Sequence, residues 1–411
     1  MLPTAADPRT GVPISRITSG PGTHLMPYYS CRALSADGAW LACTYDTGGA
    51  PQAWVYDMRT GEGHAVSNVA GGVQHESACF HPTRPWVFYN SATALYRHDL
   101  AGGRTDVLFT TQPPFRILCE VSPVRDWVVL SVVEEVTPGC CGDGRPMAHL
   151  MSLRIGQSYI LAVNPGNGEV RAVWSDTAAL THPILHPADD GLVLFANQGP
   201  RERLQELFVI ARAERDNRTP RRLYESTEQR PIYVGHSFFT DDGWIACQLN
   251  EFGGREGDGP YRDIIGYNAI IRRDGSCDRR ARCPGGNKPV HVHAARADGW
   301  WVGDTYPEEG ACDDGWLCIM KNNWETGWCQ AERLTPHGCD HNRPCHVHPR
   351  FTPDEKVVLF NSNFTGDCHI YAAHVEGFLS RWKDRAPFEP RRWRFCRRPA
   401  SERSTREGPP V

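Results

Sequence analysis

No stretch of this chain approaches the roughly 18 consecutive apolar residues that a helical membrane span needs. The opening MLPTAADPRTGVPISR lacks the basic region followed by an apolar core that marks a secretory leader, so a cytoplasmic protein is expected. There is no CxxC…CxxC zinc pattern. Long amphipathic helical stretches are scarce, which argues against an all-helical fold. Nor is there a strong charge of one sign. The formal net charge is -4, so nucleic acid is not an expected partner, and neither is a membrane. What the chain has in abundance is turn chemistry, with 32 prolines and 39 glycines. Hydrophobic residues at 40% and charged residues at 22% fit a globular chain of 411 residues. Sixteen cysteines are present, and in a chain neither small nor visibly secreted they read as buried free thiols. Cys339 and Cys345 are the pair to watch, because they flank histidines.

One element recurs along the chain: a polar turn with Asp, Gly or Pro, then a short apolar strand. The copies are SADGAWLACTYD from Ser35, HPTRPWVFYNS from His81, SPVRDWVVLSVV from Ser122 and HPADDGLVLFANQ from His186. They continue with TDDGWIACQLNE from Thr240, RADGWWVGDTY from Arg296 and TPDEKVVLFNSN from Thr352. A companion strand follows each, such as AWVYDM after Pro51 and HIYAAHV after Cys368. A spacing of roughly 40 to 65 residues suits one four-stranded blade with its loops. Seven copies therefore predict an all-β, seven-bladed β-propeller over 1–376, since a closed ring leaves no long open sheet edge. The segment ISRITSG near Ile14 is the candidate strand that closes the ring. Beyond Glu376 the pattern breaks, and 377–411 is expected to be a basic C-terminal extension, partly disordered.

The chemistry-bearing residues are histidines near the repeat's turn. In a propeller such positions meet at the central channel. The densest cluster is His341-Asn342-Arg343-Pro344-Cys345-His346-Val347-His348. In an extended strand His346 and His348 would share one face, and two imidazoles on one face make half a metal site. The preceding unit offers His291-Val292-His293. His24, His75, His182 and His236 stand near the turn in other units, each either a site residue or ordinary packing. Arg201 and Arg203 could hold a carboxylate or lie on a solvated loop.

On these residues the chain resembles the oligogalacturonate lyase family. CHVHPRFTPDEKVVLFNSNFTGDCHIYAAHV resembles that family's HPHPxFTPD element and the strands after it. THPILHPADDGLVLFANQGP resembles its GHPIxxP…EGP element, GHSFFTDDG its histidine-bearing turn, and HVHAARADGWWVGD its metal-histidine strand ending in VGD. The likeness runs to about Val375.

The resemblance implies a lyase that cleaves uronic-acid oligosaccharides by β-elimination. It implies a divalent metal, manganese in the usual description, with Ca2+, Mg2+ or Zn2+ as alternatives, on three histidines and a glutamine. The histidines fall on His291, His346 and His348, with His293 competing for the first place. The glutamine falls on Arg343, which cannot ligate, and Asn342 is the substitute one residue away. The base falls on His236. The substrate arginine falls near Leu207, with Arg203 the nearest stand-in and Arg201 beside it. The family's His-Glu before Gly-Pro is Asn197-Gln198 here. His182, His24 and His75 are candidate substrate contacts, and Tyr29 or its neighbour Tyr28 a candidate proton donor. Two other readings stay open: a propeller lyase for a different uronate glycan, and a non-catalytic propeller that binds protein or carbohydrate.

Overall fold

The computed structural model describes residues 4–135, 155–189, 191–198, 206–211, 219–227, 231–253, 265–283, 289–305, 315–339 and 345–383. They form seven antiparallel four-stranded blades, and the protein is a seven-bladed β-propeller. Blade 1 shows the plan, with strands Thr23–Leu25, Trp40–Asp46, Gln52–Asp57 and Gly63–Ala65 paired in sequence order. The first strands of the later blades are Cys79–Phe80, Phe115–Val124, Ala179–Leu185, Ile232–Phe239, Val292–His293 and Arg350–Phe351. Together with Thr23–Leu25 they surround the axis. Every copy of the sequence repeat is a turn plus the second strand of a blade, and every companion is a third strand.

The repeat's first residue has a physical job. Ser35 Oγ accepts from Trp40 N at 2.9 Å and donates to Asp37 at 2.6 Å. Thr240 Oγ1 accepts from Trp244 N at 3.0 Å, and Thr352 Oγ1 from Val357 N at 3.2 Å. In blades 2 and 4 a histidine does the same work. His81 Nδ1 accepts from Thr83 N and Arg84 N, both at 3.1 Å, and His186 Nδ1 from Ala188 N and Asp189 N. Such side chains satisfy turn amides that have no ladder partner. These two histidines are therefore structural.

The ring closes between the two ends of the described chain. Pro13–Arg16 pairs with the third strand of blade 7, Asp367–His374, with Ile14 opposite Ala373 and Arg16 opposite Tyr371. Thr4–Ala6 adds a fifth strand outside it. Apolar layers fill the wedges between blades. Val129 and Ile160 of blade 3 meet Leu180 and Phe195 of blade 4, while Leu41 and Cys43 of blade 1 meet Leu359 and Ile370 of blade 7. Full burial of each such aliphatic or aromatic side chain is worth about 1.5–3 kcal/mol.

Residues 377–383 of the expected extension continue a helix, Glu376–Lys383, that docks on the propeller. Leu379 and Trp382 are buried, with the Trp382 ring 5.1 Å from that of Trp300. The rest of the extension lies outside the described residues. Among the described residues no helix is long and apolar enough to cross a membrane.

Among the described residues the cysteines depart in one place from the expectation of free thiols. Cys345 is joined to Cys368, with sulfurs 2.00 Å apart. The watched partner, Cys339, is not in that bridge; its sulfur lies 3.2 Å from that of Cys345. The last blade places Cys368 beside Cys345.

Candidate functional site

Imidazoles from two neighbouring blades converge at the axis. One ligand-capable atom from each of His291, His346 and His348 lies within 4.8 Å of the others, and all three side chains are buried. The ring centroids of His291 and His348 are 4.5 Å apart, and those of His346 and His348 5.6 Å. The pairing arises differently from the extended-strand expectation. Residues 345–349 form no strand, and Arg350–Phe351 begins one only after them. His348 has a φ of 41°, a left-handed turn of the backbone that swings its ring back toward His346.

Carboxylates surround the imidazoles. Asp304, in the VGD run of blade 6, accepts from His291 N at 2.6 Å and from His291 Nδ1 at 2.7 Å. Burial opposes ionisation of Asp304, but the His291 contacts outweigh it and hold its pKa below the usual value. Because Nδ1 is engaged there, the Nε2 lone pair of His291 is left to face the cluster. Glu76 Oε1 lies 3.4 Å from His348 Nδ1 and 3.9 Å from His346 Nδ1. Burial, reinforced by Glu120, pushes the Glu76 carboxyl well above the usual range. Both nitrogens of His348 and Oε1 of Glu76 are buried without a hydrogen-bond partner. Uncompensated polar atoms of that kind cost free energy, and three imidazoles this close together suit a borderline divalent cation. The donor set therefore fits a metal ion.

His236 stands beside this cluster, its ring centroid 4.3 Å from that of His291. Its Nδ1 is 2.8 Å from the carbonyl of Val290, which can only accept, so Nδ1 carries the proton and Nε2 the lone pair. Tyr28 OH donates to that Nε2 at 3.1 Å. Burial and the neighbouring His291 and His182 hold the His236 pKa well below 6.5. Tyr29 is differently placed. Its hydroxyl donates to Ser237 O at 3.0 Å and accepts from Ser237 N at 2.9 Å, which fixes it to the backbone. Both rings touch His236, that of Tyr29 edge-on with centroids 4.6 Å apart, but of the two hydroxyls only that of Tyr28 meets its Nε2.

His182 also belongs to the axis. Its Nδ1 is 2.9 Å from Glu120 Oε1, and its ring stacks on Tyr28 at 5.2 Å. His24 and His75 do not join. His24 is fully buried between blades 1 and 7, stacked on Tyr45 at 4.0 Å and on His369 at 5.0 Å. His75 is partly exposed and turned toward Asp46, 3.6 Å away. His293 stacks on Phe238 and accepts from Phe351 N at 3.3 Å, leaving the cluster to His291. Arg201, Arg203, Asn342 and Arg343 lie outside the described residues. Asn197, in the second strand of blade 4, donates from Nδ2 to Asp176 Oδ2 at 3.5 Å.

Glu76, Glu120, Asp304 and Arg350 are site residues that motif reading missed. The buried guanidinium of Arg350 donates to the carbonyls of Cys31, Tyr28 (3.3 Å) and Tyr29 (2.6 Å), and so pins the tyrosine loop. Glu76, His182 and His348 all have positive φ, at 61°, 53° and 41°. Non-glycine residues held there cost of order 1–3 kcal/mol each and cluster at functional sites.

No family model matches the chain. An oligogalacturonide lyase of Pectobacterium atrosepticum is 24% identical over 229 residues, 53% of this chain and 55% of the relative. An oligogalacturonate lyase of Dickeya dadantii is 23% identical over 231 residues, again 53% and 55%. The match thus spans about half the length of each relative. Among solved structures, an oligogalacturonate lyase in complex with manganese aligns with a TM-score of 0.72 at 20% identity, covering 91% of this chain and 96% of that one. An oligogalacturonate lyase from Vibrio parahaemolyticus aligns with a TM-score of 0.72 at 22% identity, covering 92% and 97%. At that identity the solved structures establish the fold. The chain is a seven-bladed propeller that resembles the oligogalacturonate lyases in shape along nearly its whole length and in sequence along half of it.

Proposed function

We propose that the protein is a divalent-metal-dependent lyase that cleaves uronic-acid oligosaccharides of the oligogalacturonate type by β-elimination, leaving a 4,5-unsaturated uronate. The observation that carries this reading is the convergence of His291, His346 and His348 beside a neutral His236. Manganese is the first candidate ion, because the structural neighbour holds it. The three imidazoles would hold the cation, with Asn342 a candidate for a further position. When bound, it would supply positive charge for the substrate carboxylate, on which negative charge builds as the C5 proton leaves.

The residues of this chain divide the remaining work. His236 Nε2, the lone-pair nitrogen, takes the C5 proton once substrate displaces the Tyr28 hydroxyl from it. The C5 electron pair forms the C4=C5 bond and the C4–O4 bond breaks. Tyr28 is then the nearest proton donor for the departing O4, and its phenolate recovers a proton from His236. Arg350 keeps Tyr28 in place through its backbone carbonyl. Arg203 and Arg201 remain candidates for a neighbouring substrate carboxylate. A cytoplasmic location belongs to the same reading.

The direct test supplies Mn2+ and short oligogalacturonates and follows near-ultraviolet absorbance. A steady rise is expected. Absence of any rise on galacturonate oligomers, with a rise on another uronate glycan, would move the substrate assignment. No rise on any uronate panel would leave the non-catalytic reading.

A further inference from the structure

The metal reading gives no role to the buried acid Glu76. Glu76 precedes the first strand of blade 2 and comes from the opposite end of the chain to His346 and His348. It is 8% exposed, so its charge cannot rely on bulk water. Its backbone is held on both sides: Glu76 N donates to Thr44 Oγ1 at 3.2 Å, and Glu76 O accepts from Tyr28 N at 2.8 Å. These contacts fix the residue in the left-handed region, with φ at 61°. A simple turn would place glycine or asparagine there.

The side chain has a specific aim. Oε1 faces the Nδ1 edge of His348 at 3.4 Å and of His346 at 3.9 Å. Asp304 faces the Nδ1 edge of the third imidazole, His291, at 2.7 Å. All three rings therefore present the same nitrogen to a carboxylate. Metal-bound histidines commonly donate their remaining ring N–H to an acid, which fixes the tautomer and makes the other nitrogen a better donor to the ion. The Asp304 contact is a closed hydrogen bond. The Glu76 contacts are longer and shared between two rings, as befits one acid serving both.

We propose that Glu76 is a positioning residue of the metal site, a carboxylate shared by His346 and His348 that turns both imidazoles toward one cation, in parallel with Asp304 on His291. This inference rests on the metal reading above. It also explains why the acid is spent on rings rather than on substrate: its oxygen points at Nδ1 edges inside the cluster.

The test titrates Mn2+ into the purified full chain by calorimetry and also measures the Mn2+-dependent rise in melting temperature. Glu76→Gln keeps the volume and removes the charge. It is expected to weaken Mn2+ about 10–100-fold, the range typical of losing such an acid. Glu76→Asp should fall between Gln and the wild type, and Asp304→Asn should weaken binding in the same range. The melting temperature of Glu76→Gln without metal should stay level or rise, because an unpaired buried acid has been removed. A merely structural acid would instead lower it and leave the affinity alone. Unchanged affinity in Glu76→Gln overturns the proposal. Loss as complete as in His348→Ala also overturns it, since Glu76 would then be a ligand itself. If the wild type takes up no Mn2+, the metal reading falls, and this inference with it.

Discussion

The hydroxyl of Tyr28 donates to Nε2 of His236 across 3.1 Å, while the next residue, Tyr29, is bonded twice to the backbone of Ser237. Two adjacent phenols thus have unlike duties. Tyr28→Phe should lower kcat by roughly 100-fold or more, the usual scale for a proton-transfer group, with KM little changed. Tyr29→Phe should act on stability, costing about 1–3 kcal/mol in denaturant unfolding as the Ser237 amide loses its acceptor. The reverse pattern would exchange their roles.

His236→Ala should abolish the absorbance rise on uronate oligomers and leave Mn2+ binding intact. Calorimetry on the same sample provides the check. If the variant loses the metal instead, base and ligand have been exchanged.

Arg350→Lys should destabilise the protein. The guanidinium serves three carbonyls from a planar fork, and an ammonium on a flexible stem cannot reproduce that geometry. A loss of about 2–4 kcal/mol is expected, because buried carbonyls are left without donors. Urea unfolding measures it. A change below ~0.5 kcal/mol, the range of ordinary surface substitutions, would mean the fork is not needed.

Acid should weaken the fold through His24. Burial, aided by His369, depresses its pKa from 6.5 to about 3. The folded chain keeps this ring neutral while the unfolded chain protonates it below pH 6.5. The unfolded state therefore binds more protons, and stability falls as pH drops from about 6.5 toward 3. The contribution approaches ~1.4 kcal/mol per pH unit within that window. His24→Phe preserves the stack on Tyr45 and should flatten the slope. An unchanged pH profile would remove His24 as the cause.

Metal should stabilise as well as activate. A cation that binds only the folded chain adds about 2.7 kcal/mol at a hundredfold excess over Kd. A chelator should lower the melting temperature and stop turnover, and Mn2+ should restore both. A chelator without effect on either would count against the ion.

Much of the fold was legible because its second and third strands are apolar and its turns chemically marked. Ser35, Thr240 and Thr352 announce their turns through the acceptor that the geometry demands. The fourth strands are harder to read. Arg221–Arg222 and Gly63–Ala65 lie at the rim, largely exposed, and carry no apolar alternation. First strands such as Val292–His293 are only two residues long, too short for a period. The histidine cluster showed itself through residue type, but its acids did not. Glu76 and Glu120 look like surface residues until the ring brings them to the axis. The same chemistry misleads in reverse at His24, which shares its neighbours' position in the blade yet turns into an inter-blade stack.

Closure by Pro13–Arg16 has a consequence for the growing chain. Synthesis proceeds from the amino end, so this strand leaves the ribosome early and must wait, edge open, until Asp367–His374 emerges. Tyr28 and Glu76 wait with it for His346 and His348. A nascent chain without blade 7 lacks His346 and His348, so any cation that the cluster holds would have to wait for that blade. A chain cut short before blade 7 is therefore expected to show no rise in melting temperature with added Mn2+.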